Sequence, residues 1–457
     1  VQFGFCGCAL TLLRNVAERA AHYLKGLEKR PVFPTAANLA ALSSFAEPVP
    51  ELPSDPEDVL AMLDDFGSPA TIAMAGPRYF GFVIGGSLPA ALAANWMAGA
   101  WDQNAGLAVG SPVGCAIEAI SLGWLIDLLG LPKGTEAGFV TGATMANFTA
   151  LAAARHSVLA REGWNVAAQG LFGATPITVI VGEEVHVSVL KALSMLGLGR
   201  ERIVRVPVDG QGRMRADALP AITGPTIVCI QAGNVNTGAF DPARAICSAA
   251  HDAGAWVHVD AAFGLWAAAA PVRAYLMDGF SDADSWATDA HKWLNVPYDS
   301  GIAFVRHAAD LKAAMSSTHA AYLVESENRE PSHYTPELSR RARGIEIWAA
   351  LKSLGRSGLA EMIERTCRHA SRFAEGLRAA GYCVPNEVVL NQVLVSFGDD
   401  ERTRRVISGI QADGTCWCGS TVWQGKTYMR ISVSSWATTD EDVEISLAAM
   451  LRVAASM

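Results

Sequence analysis

The sequence has no run of basic residues, no C-x-x-C pair, no His-rich tract and no repeat of fixed period. Each absence removes a class of function. With 36 basic against 45 acidic residues, a net charge of −9 and no basic stripe, nucleic acid is not an expected partner. Without paired Cys and His spacings, neither a metal site nor a disulfide framework is expected. The nine cysteines are scattered, and only Cys6/Cys8 and Cys416/Cys418 stand close, as C-x-C. They read as free thiols in a reducing cytosol, so a cytoplasmic protein is expected. Nor is there an apolar run long enough to span a bilayer. Val1 to Leu13 is apolar but short and lacks the basic leading segment of a secretory signal, and Ala267 to Ala270 stops at Pro271. No membrane partner is expected.

Charge is scarce at 18%, and the chain is instead 51% hydrophobic over 457 residues, enough for two or three lobes around a large core. Residues 31–56 carry Pro31, Pro34, Pro48, Pro50, Pro53 and Pro56 and read as an extended arm behind an amphipathic helix over Arg14 to Leu27. An arm without a core of its own needs a surface to wrap, and a second subunit can supply it. From residue 115 onward, apolar β-rich runs (Gly138–Thr141, Ile177–Val181, Ile203–Val206, Thr226–Ile230, Trp256–Val259, Gly301–Val305) alternate with helical ones (Ile117–Leu129, Ala146–Arg161, Val187–Leu196, Pro242–Asp252). That alternation predicts an α/β fold with a mostly parallel sheet covered on both faces. After Arg306 the character changes. Residues 316–339 are polar and read as a loop. Helices follow over Ile345–Leu354 and Leu359–Ala379, and strands over Val393–Phe397 and Tyr428–Val433 predict a smaller C-terminal α+β lobe. The expected division is an arm over 1–70, a large domain over 71–345 and a small domain over 346–457.

Ligands of such sheets sit beyond the carboxyl ends of the strands, and Asp260 follows the predicted strand Trp256–Val259 directly. His258 and Asp260 share one side of that strand, and small Ala261 and Ala262 leave room for a flat ring. Thirty-two residues on, Lys292 lies in Asp-Ala-His-Lys-Trp at 289–293. Its apolar surroundings (Trp286, Ala287, Ala290, Trp293, Leu294) favour a lowered amine pKa and nucleophilic chemistry. A lysine can form a Schiff base with an aldehyde cofactor, and a carboxylate can keep a pyridine nitrogen protonated. Together they are the protein's half of a pyridoxal phosphate electron sink. Thr141-Gly142-Ala143-Thr144 follows a strand and opens a helix, the setting of a phosphate cradle or of an ordinary loop. His186, between a strand and a helix, suits stacking on a pyridine ring, or simply capping the helix. Singly each site is ambiguous. The order of phosphate loop, His, His-x-Asp and His-Lys on one α/β scaffold is not an ordinary coincidence.

These residues resemble the group II pyridoxal phosphate-dependent amino acid decarboxylases, the aromatic-L-amino-acid decarboxylases among them. The matching stretches are Pro77–Pro89, Gly138–Asn147, His186–Ala192, Gly233–Pro242, His258–Gly264 and Asp289–Trp293. The resemblance implies fold type I, pyridoxal 5′-phosphate as cofactor, and a homodimer with active sites at the subunit interface. It implies that Lys292 carries the Schiff base, Asp260 pairs with the pyridine nitrogen, and His186 and Ala262 flank the ring. It gives Ala143, Thr144 and His291 to the phosphate, with Asp289 near, and Asn234 to the phenolic oxygen or the substrate carboxylate. A tyrosine on the polar loop would protonate Cα, Tyr334 or alternatively Tyr322. Phe82, Trp101 and Asn104 would line the substrate pocket and favour an apolar or aromatic amino acid. The expected reaction is release of CO2 to leave the amine. The other outcomes compatible with these residues are an aldehyde synthase, an aminotransferase, a carbon–carbon lyase or a non-catalytic binding protein; intact Lys292, Asp260 and His186 speak against the last.

Overall fold

The computed structural model describes residues 8–316 and 329–457. The principal helices are α1 (Cys8–Gly26), α2 (Pro89–Trp101), α3 (Pro112–Leu128), α4 (Ala143–Ala160), α5 (Val187–Met195), α6 (Ala243–Asp252), α7 (Ala308–Met315), α8 (Gly344–Ala379), α9 (Asp400–Asp413) and α10 (Asp440–Ser456). The strands are β1 (Glu136–Val140), β2 (Thr178–Gly182), β3 (Val204–Val206), β4 (Thr226–Gln231), β5 (Trp256–Asp260), β6 (Ser285–Asp289), β7 (Gly301–Val305), β8 (Gln392–Val395), β9 (Gly419–Trp423) and β10 (Lys426–Ser432).

Seven strands form one sheet in the order β1-β7-β6-β5-β4-β2-β3. The pairs from β3 through β6 are parallel, while β7 runs antiparallel to both β6 and β1. The mostly parallel sheet expected from the alternating pattern is therefore present, with a reversed strand near one edge. Strands β4, β5, β6 and β7 are buried along their whole length, as strands covered on both faces must be. One core lies against α3 and the first half of α8 and contains Trp266, Trp286 and Trp293. The other lies against α4 and α5, where Ala146, Ala150, Ala153 and Ala154 let helix and sheet approach closely. Three further strands, β8-β10-β9, form an antiparallel sheet on which α9 and α10 pack.

The two helices expected over 345–379 are present, meeting within α8 at Gly355, whose φ of 60° an L residue rarely adopts. Two readings change. Strand β6, Ser-Trp-Ala-Thr-Asp, was not expected from the sequence. Residues 31–56 are not wholly extended, because Thr35 accepts the Asn38 amide and caps a short helix, Ala36–Ala40, continued as a 3₁₀ turn over Ala41–Phe45. Among the described residues no helix is long and apolar enough to cross a membrane.

Candidate active site

The carboxyl end of β6, the turn after β1 and the starts of α4 and α5 border a cavity of about 320 Å³. Its wall comes from residues 141–145, from His186 and Ser188, and from Asp289, His291 and Lys292. The chain leaves β1 at Val140, turns through Thr141 and Gly142, and enters α4 at Ala143. First-turn amides have no partner within the helix, so the start of α4 brings unsatisfied N–H groups to this wall. Gly142 is required by close approach. A Cβ there would lie 3.1 Å from His291 Cε1 and 3.3 Å from Asp289 Oδ1, and one on Gly301 of β7 would lie 2.4 Å from the Gly142 Cα.

Asp289 is the hub of this end. Its Oδ1 accepts the Ala143 amide at 2.5 Å and lies 3.4 Å from His291 Nε2, and its Oδ2 pairs with Lys292 Nζ at 2.9 Å. The expected apolar run around Lys292 is present, for Trp286, Ala287, Ala290, Trp293 and Leu294 are all buried. The amine, however, turns from that core to the Asp289 carboxylate. His291 Nδ1 accepts the Ser300 amide at 3.0 Å, which leaves the proton on Nε2, facing the cavity. Burial holds the His291 imidazole below its ordinary pKa; Asp289 opposes this and Lys292 adds to it. Tyr298 stacks on the His291 ring with centroids 4.2 Å apart.

At the other end, Asp260 closes β5 and is 5% exposed. Its Oδ2 accepts the Ser188 hydroxyl at 3.3 Å, whereas its Oδ1 is buried with no partner. A buried carboxylate oxygen without a donor is costly. The need is met by a protonated ring nitrogen, so the residues present fit the pyridine ring that the sequence calls for. His186 takes the capping role considered for it and stands at the cavity. It caps α5, accepting the Ser188 amide on Nδ1 at 3.2 Å, and its side chain borders the cavity. Burial lowers its pKa, Asp260 opposes that shift, and Lys292 and Arg430 add to it. Arg430 itself donates to the Val235 carbonyl at 3.2 Å.

The structure thus brings together Ala143, Thr144, His186, Asp289, His291 and Lys292 on one wall, with Asp260 behind Ser188. Ala262 adjoins them through its carbonyl, which accepts the Asp289 amide at 2.9 Å. Five other expected residues fall elsewhere. Asn234 does not line the cavity: its Oδ1 accepts the amides of Asn236 and Thr237, and its Nδ2 donates to Glu184 at 3.0 Å. It shapes a turn. Tyr334 is 4% exposed and packs in the core on the α4 side of the sheet, with the Arg329 guanidinium 4.3 Å and Lys312 Nζ 5.4 Å from its ring centre. The short helix Pro331–His333 turns this segment inward, so Tyr334 is withdrawn as the proton donor. Tyr322, the alternative, lies outside the described residues. Trp101, the last residue of α2, and Asn104 just after it are exposed and do not line the cavity; Asn104 Oδ1 accepts the amides of Gly106 and Arg340. Phe82 is 60% exposed and rests on Trp417.

Sequence reasoning missed Ser188 and Asn147. A clue to the first was its place two residues after His186; a clue to the second was an amide inside an otherwise alanine-rich helix. Asn147 is fully buried, donates to Ser188 Oγ at 3.1 Å and accepts from His258 Nε2 at 2.8 Å. Among the described residues no group of three or more His, Cys, Asp or Glu could hold a metal ion.

Comparison with known proteins gives concordant results. The model of the pyridoxal-dependent decarboxylase conserved domain matches residues 43–397. The chain is 25% identical over 456 residues to an aromatic-L-amino-acid decarboxylase of Bacillus atrophaeus, covering 93% of this chain and 91% of that one. It is 30% identical over 253 residues to an aspartate 1-decarboxylase of Aliivibrio fischeri, covering 52% and 46%. The solved structure of Oryza sativa TDC with PLP and tryptamine superposes with a TM-score of 0.92 at 22% identity, over 100% of this chain and 99% of that one. This last likeness establishes the fold.

Proposed function

We propose that this chain, which belongs to the pyridoxal-dependent decarboxylase family, releases CO2 from an L-amino acid with an apolar or aromatic side chain and holds its cofactor through Lys292. As a member of that family it is a pyridoxal phosphate-dependent carboxy-lyase acting on an amino acid. The observation that carries the site assignment is the unpartnered Asp260 Oδ1, buried behind Ser188 at a cavity whose wall holds Lys292 and the first turn of α4.

When bound, pyridoxal phosphate supplies an electron sink for the pair left behind as CO2 departs. The chain's own groups do the rest. The start of α4 at Ala143 and Thr144, with the Thr144 hydroxyl and His291 Nε2–H, would hold the phosphate. Lys292 would provide the covalent attachment, and Asp289 holds its ammonium at 2.9 Å when the amine is not so engaged. Asp260 would keep the ring nitrogen protonated, with His186 and Ala262 flanking the ring. Burial keeps the His186 imidazole neutral, so it can hydrogen-bond the leaving carboxylate without fixing it by charge.

Support for an apolar substrate comes from the loop before α2. Phe82 and Val83 both have positive φ, 53° and 60°, a strained conformation for non-glycine residues. Gly85 in the same loop touches the Lys292 backbone so closely that a Cβ would fall 1.8 Å from its carbonyl oxygen. The turn buries Val83 and leaves Phe82 exposed against Trp417, an apolar side chain on the loop that abuts the Lys292 backbone. Support for a homodimer comes from Trp96, Met97 and Trp101 on α2 and Val113 and Ile120 on α3, all exposed. An apolar face of that extent calls for a second copy.

The test is CO2 release and product mass from the holoprotein across L-amino acids with aromatic, aliphatic, acidic and basic side chains. Amine and CO2 in equal amounts from the aromatic or aliphatic group, abolished in Lys292→Ala, is expected. Turnover confined to acidic substrates would overturn the substrate assignment, and full activity in Lys292→Ala the assignment of the lysine.

A further inference from the structure

A chain of buried polar groups runs behind the cavity to His186 and Asp260, and the roles above leave its inner members, Trp256, Ser285, His258, Asn147 and Ser188, without a part. Trp256 Nε1 donates to Ser285 Oγ at 2.9 Å, and Ser285 Oγ lies 2.9 Å from His258 Nδ1. His258 Nε2 lies 2.8 Å from Asn147 Oδ1, and Asn147 Nδ2 lies 3.1 Å from Ser188 Oγ. Ser188 Oγ then meets two acceptors, His186 Nδ1 at 2.8 Å and Asp260 Oδ2 at 3.3 Å. Trp256, Ser285, His258 and Asn147 are fully buried and Ser188 nearly so, which shuts out water as an alternative partner.

Counting protons fixes the direction. The indole N–H can only donate. His186 Nδ1 already accepts the Ser188 amide as the cap of α5, so it carries no proton. Asp260 Oδ2 is also an acceptor. The hydroxyl proton of Ser188 must therefore point toward this pair, because otherwise lone pairs would face one another at two contacts. With its proton committed, Ser188 Oγ can only accept from Asn147, so the Asn147 amide nitrogen faces Ser188 and its oxygen faces His258. His258 Nε2 is then the protonated nitrogen, and its Nδ1 accepts the Ser285 hydroxyl. Burial agrees: it pushes the His258 pKa down to about 3, leaving a neutral ring with one N–H. The Ser188 proton is shared between His186 Nδ1 and Asp260 Oδ2, every other donor in the chain has one acceptor, and the direction runs from Trp256 to the cavity.

We propose that Asn147 and Ser188 are positioning residues, set by His258, whose hydroxyl donor fixes His186 in the tautomer with its proton on Nε2 and turns Asp260 so that Oδ1 is left for the ring nitrogen. The relay explains why His258 shares a strand face with Asp260 without reaching the cavity. It rests on the proposed placement of the ring nitrogen at Asp260, but its first readout does not.

The experiment uses the full chain, with and without pyridoxal phosphate. In ¹⁵N-histidine-labelled wild-type protein without cofactor, His258 and His186 both carry the proton on Nε2. Protonation of either on Nδ1 would overturn the relay without any variant. In Ser188→Ala only the longer amide contact at 3.2 Å is left on His186 Nδ1, so the His186 tautomer becomes mixed, and the cofactor dissociation constant rises about tenfold, the share of one hydrogen bond to a charged group. Ser188→Thr restores both. Asn147→Asp, of the same shape but acceptor-only, draws the Ser188 proton away and reproduces the Ser188→Ala phenotype. Wild-type tautomer and affinity in Ser188→Ala, or no rescue by threonine, would overturn the proposal. A tautomer that responds to Ser188 with an affinity that does not supports the relay and overturns the ring-nitrogen placement instead, so the two failures are separable.

Discussion

Replacing Asp260 by asparagine should move two properties in opposite directions. Without cofactor, Asp260 Oδ1 is a buried carboxylate oxygen with no donor, while Oδ2 has only the Ser188 hydroxyl at 3.3 Å. Leaving such a group unsatisfied costs about 1–3 kcal/mol. Asparagine keeps an oxygen for Ser188 and removes the charge. The cofactor-free Asp260→Asn protein should therefore be more stable than wild type by about 1–2 kcal/mol, the penalty relieved less the weaker bond to Ser188. For a chain this long, at about 2.1 cal/mol/K per residue, that raises the melting temperature by only about 1–2 °C. Cofactor binding goes the other way. A buried charge pair that loses one member costs about 2–5 kcal/mol, so the dissociation constant for pyridoxal phosphate should rise roughly 30- to 4,000-fold. Thermal melts of the cofactor-free proteins and absorbance titrations with pyridoxal phosphate measure both. A variant that melts below wild type and binds cofactor equally well would refute the reasoning, since the open oxygen would then be neither a cost nor a binding group.

Glu118 carries two buried ion pairs, to Arg329 and Arg340 at 2.7 Å each; Arg329 also pairs with Glu136, so Glu118→Ala strands the buried Arg340 guanidinium and should lower urea stability by about 3–5 kcal/mol, and a loss under about 1 kcal/mol counts against this. His258 has its pKa lowered in the fold, so the unfolded chain takes the proton first as pH falls. Its contribution is intact above about pH 6.5 and declines by about 1.4 kcal/mol per unit toward its folded pKa of about 3. The stability of wild type relative to His258→Asn should accordingly fall by about 2 kcal/mol between pH 6.5 and 5. A difference independent of pH would disprove a neutral His258. Tyr334→Phe should leave kcat and KM within about twofold, because the ring is packed in the core between Arg329 and Lys312; a collapse of kcat alone would return Tyr334 to the chemistry.

Lys292, Asp260 and His186 were legible because their chemistry is tied to strand and helix ends that apolar periodicity marks. Strand β6 was not, since three of its five residues, Ser285, Thr288 and Asp289, are polar yet buried, and alternation between apolar and polar residues carries no signal where both faces are covered. The reversal of β7 was also hidden, because a strand's direction depends on how the chain returns after Lys292. Tyr334 was misplaced by composition: a polar stretch reads as loop, and only the packing of Arg329 onto its ring draws it inside. Ser188 and Asn147 could not be found by residue type, because serine and asparagine beside a helix start are ordinary caps and only the three-dimensional contact with His258 gives them a direction.

The meeting of Gly142 and Gly301 has a consequence for redesign. The two backbones touch where a side chain on Gly301 would run into the turn before α4, while one on Gly142 would crowd His291 and Asp289. That corner cannot be filled from either strand end, nor opened by trimming, since no side chain is there to remove. An enlarged cofactor analogue, or a variant made to accept one, has to gain its room at Thr144 or Met145, which border the same cavity with side chains that can be cut back. The glycine pair works as a fixed stop, and the adjustable wall stands one helical turn away.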